Sequence, residues 1–177
     1  MSHDAYSDDH IADILREVRS VAMIGASANA SRPSYFVLKY LLAKGYTVTP
    51  VNPGHGGTMI LGRPVAAALS ELPAPVDMVD IFRNSEAALE VTREAIRIKD
   101  RLGIKVIWMQ LSVRNDLAAA EAEAAGLRVV MNRCPKIEYG RLSGEIGWVG
   151  FNSGVISSQR PKLAASGLQS LRIADKR

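Results

Sequence analysis

The chain has a single cysteine, Cys134, so no internal disulfide can form, and a reducing, cytoplasmic setting is the expected one. No apolar run approaches the roughly 20 residues that a membrane-spanning helix requires. The opening MSHDAYSDDH is polar and acidic, unlike a signal or transit peptide. Histidine is scarce, with three in all, and His3 and His10 fall in a segment expected at the periphery, which argues against a metal site. An excess of positive charge in the body of the chain is also lacking. Residues 160–177 carry five bases against Asp175, and those account for the whole net charge of +4. The remaining bases and acids cancel, with no basic stripe interleaved with aromatics. Nucleic acid is therefore not expected as a partner, and the basic tail reads as a solvated end. An adaptor role through that tail, toward nucleic acid or an unidentified protein partner, stays open as an alternative.

What is present is a core. Of 177 residues, 47% are hydrophobic and 23% charged, which suits one domain better than two. Residues 8–18 place apolar side chains at 11, 14, 15 and 18, one face of a helix. SVAMIG then reads as a buried strand. Residues 33–44 read as a helix, with Pro33 suited to its first turn and Gly45 just past its end. YTVTPVNP is a second strand, GHGGTMILGRP a glycine-rich loop, and VAAALSEL a short helix. VDMVDIF, IKVIWMQ and LRVVMN are three further strands, separated by helices over Asn84 to Arg101 and over 114–125. In the first of these helices, Ala88, Val91, Ala95, Ile98 and Leu102 form a stripe at steps of three and four.

Continuous apolar strands alternating with helices define a parallel sheet covered on both faces. The expected fold is α/β, a doubly wound Rossmann-like parallel sheet of about five strands in a single domain. The chain divides into an N-terminal helix over 1–19 packing on the domain, a Rossmann-like body over 20–145, and a basic C-terminal extension over 146–177.

Ligands of such sheets bind beyond the carboxyl ends of the strands. Those ends carry Gly25, Ala26, Ser27 and Arg32; Asn52, Pro53 and His55; Phe82 and Arg83; Gln110; and Asn132, Arg133 and Cys134. The rim is polar and basic, which fits an anion with apolar parts. The turn at Gly25 and the helix starting at Pro33 supply backbone N–H groups and a positive helix end for phosphate, and Arg32 can add a bidentate contact. Only the first glycine of the G-x-G-x-x-G dinucleotide fingerprint is present. Strand two ends in Asn52-Pro53, where an NAD-binding site places an acid for the ribose diol. The rim thus favours a phosphorylated adenosine ligand over NAD, and an NADP-dependent oxidoreductase remains an alternative. Asp77 and Asp80 are unusual for a buried strand and read as capping or pairing groups. Arg133 and Lys136 are expected to lower the Cys134 pKa, which makes Cys134 a candidate for thiol exchange.

VAMIGAS, RPSY, VNPGHGGTMILGRPV, PVDMVDIF, IKVIWMQ and VVMNRCPKIEYGRL, in that order over about residues 16–145, resemble the small stand-alone CoA-binding proteins. These in turn are similar to the CoA-binding domain of the succinyl-CoA ligase α-subunit. The resemblance implies that coenzyme A or an acyl-CoA lies across the strand ends. Gly25, Ala26, Ser27, Arg32 and Pro33 would hold phosphate, Asn52 and Pro53 would flank the adenosine, and Phe82, Arg83 and Gln110 would line the pantetheine path. It departs at His55, where the ligase loop commonly has lysine. The ligase also uses a second domain with a phosphorylated histidine and a partner subunit, so the resemblance carries ligand binding and not the ligase reaction.

Overall fold

A computed structural model describes residues 3–145 and 172–173. Most of the basic C-terminal extension lies outside the described residues. The main sheet is five parallel strands in the order β2–β1–β5–β6–β7. These are β1 (Ser20–Ile24), β2 (Thr47–Val51), β5 (Met78–Ile81), β6 (Val106–Met109) and β7 (Arg128–Val130). Every residue of β1, β5 and β6 is buried, which is why these strands read as apolar runs and not as alternating ones.

Helices α1 (Asp8–Glu17), α2 (Pro33–Ala43) and α5 (Pro135–Leu142) cover one face. There Ile11, Ile14, Leu38 and Leu41 pack on Met23, Met78 and Trp108. Helices α3 (Ser85–Leu102) and α4 (Asp116–Ala124) cover the other, where Ala88, Ala95 and Ala122 close on Val79, Ile81 and Ile107. Fully burying a side chain of the size of Leu or Ile contributes about 1.5–3 kcal/mol, so the two layers are the main source of stability. The chain is a single α/β domain with a doubly wound, Rossmann-like sheet, as its sequence leads one to expect. The strand order reverses direction between β1 and β5, and this switch point is where the fold leaves a crevice.

Helix boundaries follow their local chemistry. Ser7, Asn84 and Asn115 cap α1, α3 and α4 with side-chain oxygens that accept from the first-turn N–H groups of His10, Ala87 and Ala118. Gly103, at φ 78°, ends α3 in a left-handed cap. The buried stripe of α3 is Ala88, Thr92, Ala95 and Leu102, with Val91 and Ile98 half-buried at its margin.

One local expectation is corrected. VAAALSEL is not a helix: it runs extended along the outer edge of β2, then closes with a single 3-10 turn at Leu69–Glu71. Ala66 donates to the Pro50 carbonyl and accepts from the Asn52 N–H, so the segment occupies the exposed backbone of an edge strand. Just before it, β3 (Met59–Ile60) and β4 (Arg63–Pro64) form a small antiparallel hairpin inside the glycine-rich loop. Helix α5 completes the layer over the first face. Its eight residues follow Cys134, with Pro135 as the first helical residue, and they pack against both α1 and α2.

Candidate functional site

At the switch point, the carboxyl ends of β1 and β5 come together. Gly25 has φ 84°, and a Cβ there would lie 2.8 Å from the Phe82 carbonyl oxygen and 3.0 Å from Cδ of Arg83. Glycine is required both by the turn and by the close approach. A cavity of about 460 Å³ opens beside this junction, between the N-terminal ends of α2 and α5. Ser31, Pro33, Phe36 and Val37 line it from α2 and its approach, Phe82 and Arg83 from the segment after β5, and Gln110, Leu111 and Val113 from the segment after β6. Cys134, Lys136 and Ile137 close it from α5. The wall is mainly apolar, while Arg83 and Lys136 stand within it and Arg32 caps α2 beside it. None of these three cations has an acidic partner among the described residues. Phe36, Leu111 and Ile137 are exposed hydrophobic residues that form its lip.

Five of the residues read from the sequence as site residues meet in this wall: Pro33, Phe82, Arg83, Gln110 and Cys134. The first loop lies alongside it and is largely self-satisfied. Gly25 N–H donates to Val51 O, Ser27 N–H to Ser34 Oγ and Asn29 N–H to Ser27 Oγ. Ala26 is buried, and its carbonyl accepts from Asn52 Nδ2 at 2.8 Å. Asn52 Oδ1 in turn accepts from Gly54 N–H, so this amide pins the loop after β2 to the loop after β1. Pro53 and His55 sit on the exposed 3-10 turn beyond it. Asn132, left-handed at φ 52°, accepts from the N–H of Ser112, itself left-handed at φ 65°, and so braces the loops after β6 and β7. These residues build the rim but do not line the cavity. Of the other lining residues, Leu111 follows Gln110 at the end of its strand and Lys136 stands beside Cys134, while nothing in the sequence marks Ser31, Phe36, Val37, Val113 and Ile137. The α2 residues lie on a helix that reads as apolar all round, and the α5 residues depend on a helix whose sole local signal is Pro135 after Cys134.

The expectation that basic neighbours lower the Cys134 pKa is corrected. Burial pushes the Cys134 thiol up, and the nearby Asp80 carboxylate adds to this, while the N–H groups of Ile137 and Lys136 and the Lys136 charge oppose it without prevailing. Arg133 does not help. Its guanidinium pairs with Glu138 at 3.6 Å and lies 5.8 Å from the Tyr6 ring centre, while its carbonyl accepts from the Trp108 indole N–H.

Asp77 and Asp80 have different roles. Burial disfavours a charge on Asp77. The N–H groups of Arg19 and Ser20, the Ser20 hydroxyl and Lys105 outweigh that and hold its carboxyl below the ordinary range. It braces the amino end of the sheet, far from the cavity. Asp80 is fully buried, and burial pushes its carboxyl up to about 7 against a hydrogen bond from Gln110.

A second cavity of about 390 Å³ lies at the opposite end of the sheet, among Arg16, Arg19, Lys44, Tyr139 and Arg172. Here α1, α2 and α5 end, so the cations face the negative ends of three helices. Lys44 forms a buried pair with Glu145. At the N-terminus, the Tyr6 hydroxyl accepts from Met131 N–H, and His3 and His10 pack on the Tyr6 ring. Among the described residues no group of three or more His, Cys, Asp or Glu side chains is arranged to hold a metal, and no helix is long and apolar enough to cross a membrane.

Comparison with known proteins places these features in a family. The CoA binding domain family matches residues 19–140, and this chain belongs to it. An uncharacterized protein, YneT, of Bacillus subtilis is 30% identical over 133 residues, 75% of this chain and 94% of its own length. A hypothetical protein from Pyrococcus horikoshii has the same fold at TM-score 0.73 and 35% identity, over 80% of this chain and 96% of that one. A dinucleotide-forming acetyl-coenzyme A synthetase of Candidatus Korarchaeum cryptofilum, solved with phosphate and ADP, matches at TM-score 0.54 and 26% identity. That match covers 64% of this chain and 26% of the synthetase.

Proposed function

We propose that this protein binds coenzyme A, free or acylated, across the carboxyl ends of β1, β5 and β6, and that it has no self-contained ligase activity. The observation that carries the reading is the cavity at the switch point. It is apolar in its depth, and Arg32, Arg83 and Lys136 stand around it without acidic partners among the described residues. That combination fits a ligand with one phosphorylated end and one long, weakly polar arm. The phosphates would take the N-terminal end of α2, where Arg32 leaves the helix without a side-chain cap. The pantetheine arm would enter between Phe82, Gln110 and Ile137. Membership in the CoA binding domain family supports the ligand class. The Cys134 thiol, pushed up by burial, supports binding rather than chemistry at this site.

The test is a melting and calorimetric comparison of CoA, acetyl-CoA, NAD and NADP on the full chain. A ligand that binds only the folded state raises Tm with its concentration. CoA and acetyl-CoA are expected to raise Tm and NAD is not, because Asn52 stands where an acid would hold the ribose diol. Equal shifts with NAD and CoA, or none with CoA, would overturn the reading. A shift with NADP alone would favour the oxidoreductase alternative.

A further inference from the structure

Asp80 is the one acidic residue within the five strands of the main sheet. It lies in the central strand, paired with Met23 of β1 on one side and Trp108 of β6 on the other, and its exposure is 0%. Its Oδ1 accepts from Gln110 Nε2 at 2.8 Å, and its Oδ2 has no partner. A buried carboxyl with one oxygen unsatisfied destabilises a fold, and an apolar residue at this position would cost less. Such a group calls for a role outside folding.

Geometry supplies one. Along β5, two residues beyond Asp80 on the same face is Phe82. Along β6, two residues beyond Trp108 is Gln110. Both line the switch-point cavity, so Asp80 lies one step beneath its floor. The Gln110 amide has a donor end and an acceptor end. With Nε2 turned inward to Asp80, Oε1 is left as the end free for the cavity, and no protein donor among the described residues reaches it. An ionised Asp80 accepts only, and a protonated one can carry its proton on Oδ2, so Oδ1 can hold the glutamine amine in both states. Were residue 80 apolar, the amide could turn over and offer the cavity a donor as readily as an acceptor.

We propose that Asp80 is a positioning residue that fixes the Gln110 amide with its oxygen toward the cavity, so that the site selects a ligand arm that donates a hydrogen bond there. This rests on the CoA reading and deepens it. The donor is an N–H of one of the two pantetheine amides or the terminal S–H, and a thioester carbonyl cannot take its place.

Calorimetry on the full chain tests this with CoA, acetyl-CoA and adenosine 3′,5′-bisphosphate, which keeps the phosphorylated nucleoside and lacks the arm. Asp80→Leu, Asp80→Ala and Gln110→Ala are each expected to weaken CoA about ten-fold, the loss of one hydrogen bond in a closed site, and to leave the bisphosphate unchanged. Leu and Ala differ in volume, so a packing fault in one does not mask the lost acceptor. Asp80→Asn keeps an acceptor, but its own amide can turn over and offer Gln110 a donor instead, so it is expected to restore CoA affinity in part relative to Asp80→Leu. If acetyl-CoA binds like CoA and Gln110→Ala weakens both, the donor is an amide. If acetyl-CoA already binds about ten-fold more weakly to the wild type and Gln110→Ala does not change it, the donor is the thiol. Wild-type affinity for CoA in the Asp80→Leu and Asp80→Ala proteins, or equal losses of CoA and bisphosphate, would overturn the inference while leaving CoA binding intact. Failure of the CoA reading itself shows earlier, as a wild-type protein that does not bind CoA.

Discussion

The Asn52 side-chain amide donates to the main-chain oxygen of Ala26 at 2.8 Å and accepts from the Gly54 N–H at 3.0 Å. One side chain therefore holds the loop after β2 against the loop after β1. Ala26 is buried, so removing the donor leaves its carbonyl unsatisfied. Asn52→Ala is expected to lower stability by about 1–3 kcal/mol, read by chemical denaturation. Asn52→Asp keeps the acceptor for Gly54 and loses the donor to Ala26, so it should be destabilised as well. An Asn52→Asp protein as stable as the wild type would show that the Ala26 contact contributes nothing.

Gly25 is the other fixed point of this junction. An alanine there would take a left-handed φ of 84° and drive its Cβ to 2.8 Å from the Phe82 carbonyl, a backbone atom that cannot swing aside. Gly25→Ala is expected to destabilise the fold by at least about 1–3 kcal/mol and to displace Arg83 from the cavity wall. Thermal melting and CoA calorimetry should both register it. A variant with wild-type Tm would mean that β1 and β5 can separate at their ends without cost.

Arg32 differs from both, because it is exposed and caps α2 without a side-chain hydrogen bond. Arg32→Ala is expected to leave Tm within a degree or so and to weaken CoA by about 1–3 kcal/mol, the range for a hydrogen bond to a charged group. Salt should reduce the wild-type affinity more than that of the variant, since the lost contact is ionic. Unchanged affinity would place Arg32 in solvent.

The sheet and its rim were legible in the sequence because both follow from period and position. Buried parallel strands are unbroken apolar runs, and whatever follows each run lies at the ligand edge. Gly25, Phe82, Arg83 and Gln110 were found in that way. The residues that close the cavity from α5, Lys136 and Ile137, were not, because the orientation of that helix is set by packing on α1 and α2 rather than by periodicity. VAAALSEL misled for a related reason. Its alanines favour helix, but the open edge of β2 offers backbone partners, and tertiary pairing overrides a weak local preference. The direction expected for the Cys134 pKa is reversed because burial outweighs the Lys136 charge and Arg133 turns to Glu138 and Tyr6.

Asp80 predicts a distinct pH dependence. Burial pushes its folded-state pKa to about 7, from an ordinary value of 3.8. Between those values the folded state holds a proton that the unfolded state has lost, so stability falls as pH rises through the window and levels off above it. The loss amounts to a few kcal/mol, at about 1.4 kcal/mol for each tenfold change in proton affinity. Asp77 acts in the opposite sense and in another range, since its lowered pKa makes stability fall as pH drops below the ordinary carboxylate value. Denaturation from pH 4 to 8 in wild type and Asp80→Asn separates the two. The Asn variant should lose the decline between about 4 and 7, and an unchanged decline would assign it to other groups.

Cys134 supplies the last test, and it reverses what its basic neighbours imply. The thiol is buried in the wall of the cavity, and both burial and the Asp80 carboxyl disfavour the thiolate, the form that attacks a disulfide. Alkylation by iodoacetamide at pH 7.5 is therefore expected to run at least about ten-fold slower than for an exposed cysteine. CoA should slow it further by covering the cavity. Treatment with CoA disulfide under native conditions is expected to yield no mixed disulfide, read by intact-mass spectrometry. In Cys134→Ser the hydroxyl takes the cap position of α5, where serine is a preferred residue, so its Tm should stay close to that of the wild type. A CoA adduct that forms readily on the wild type and is absent from Cys134→Ser would show that the cavity raises the reactivity of this thiol, and that the burial seen here is opened by the ligand itself.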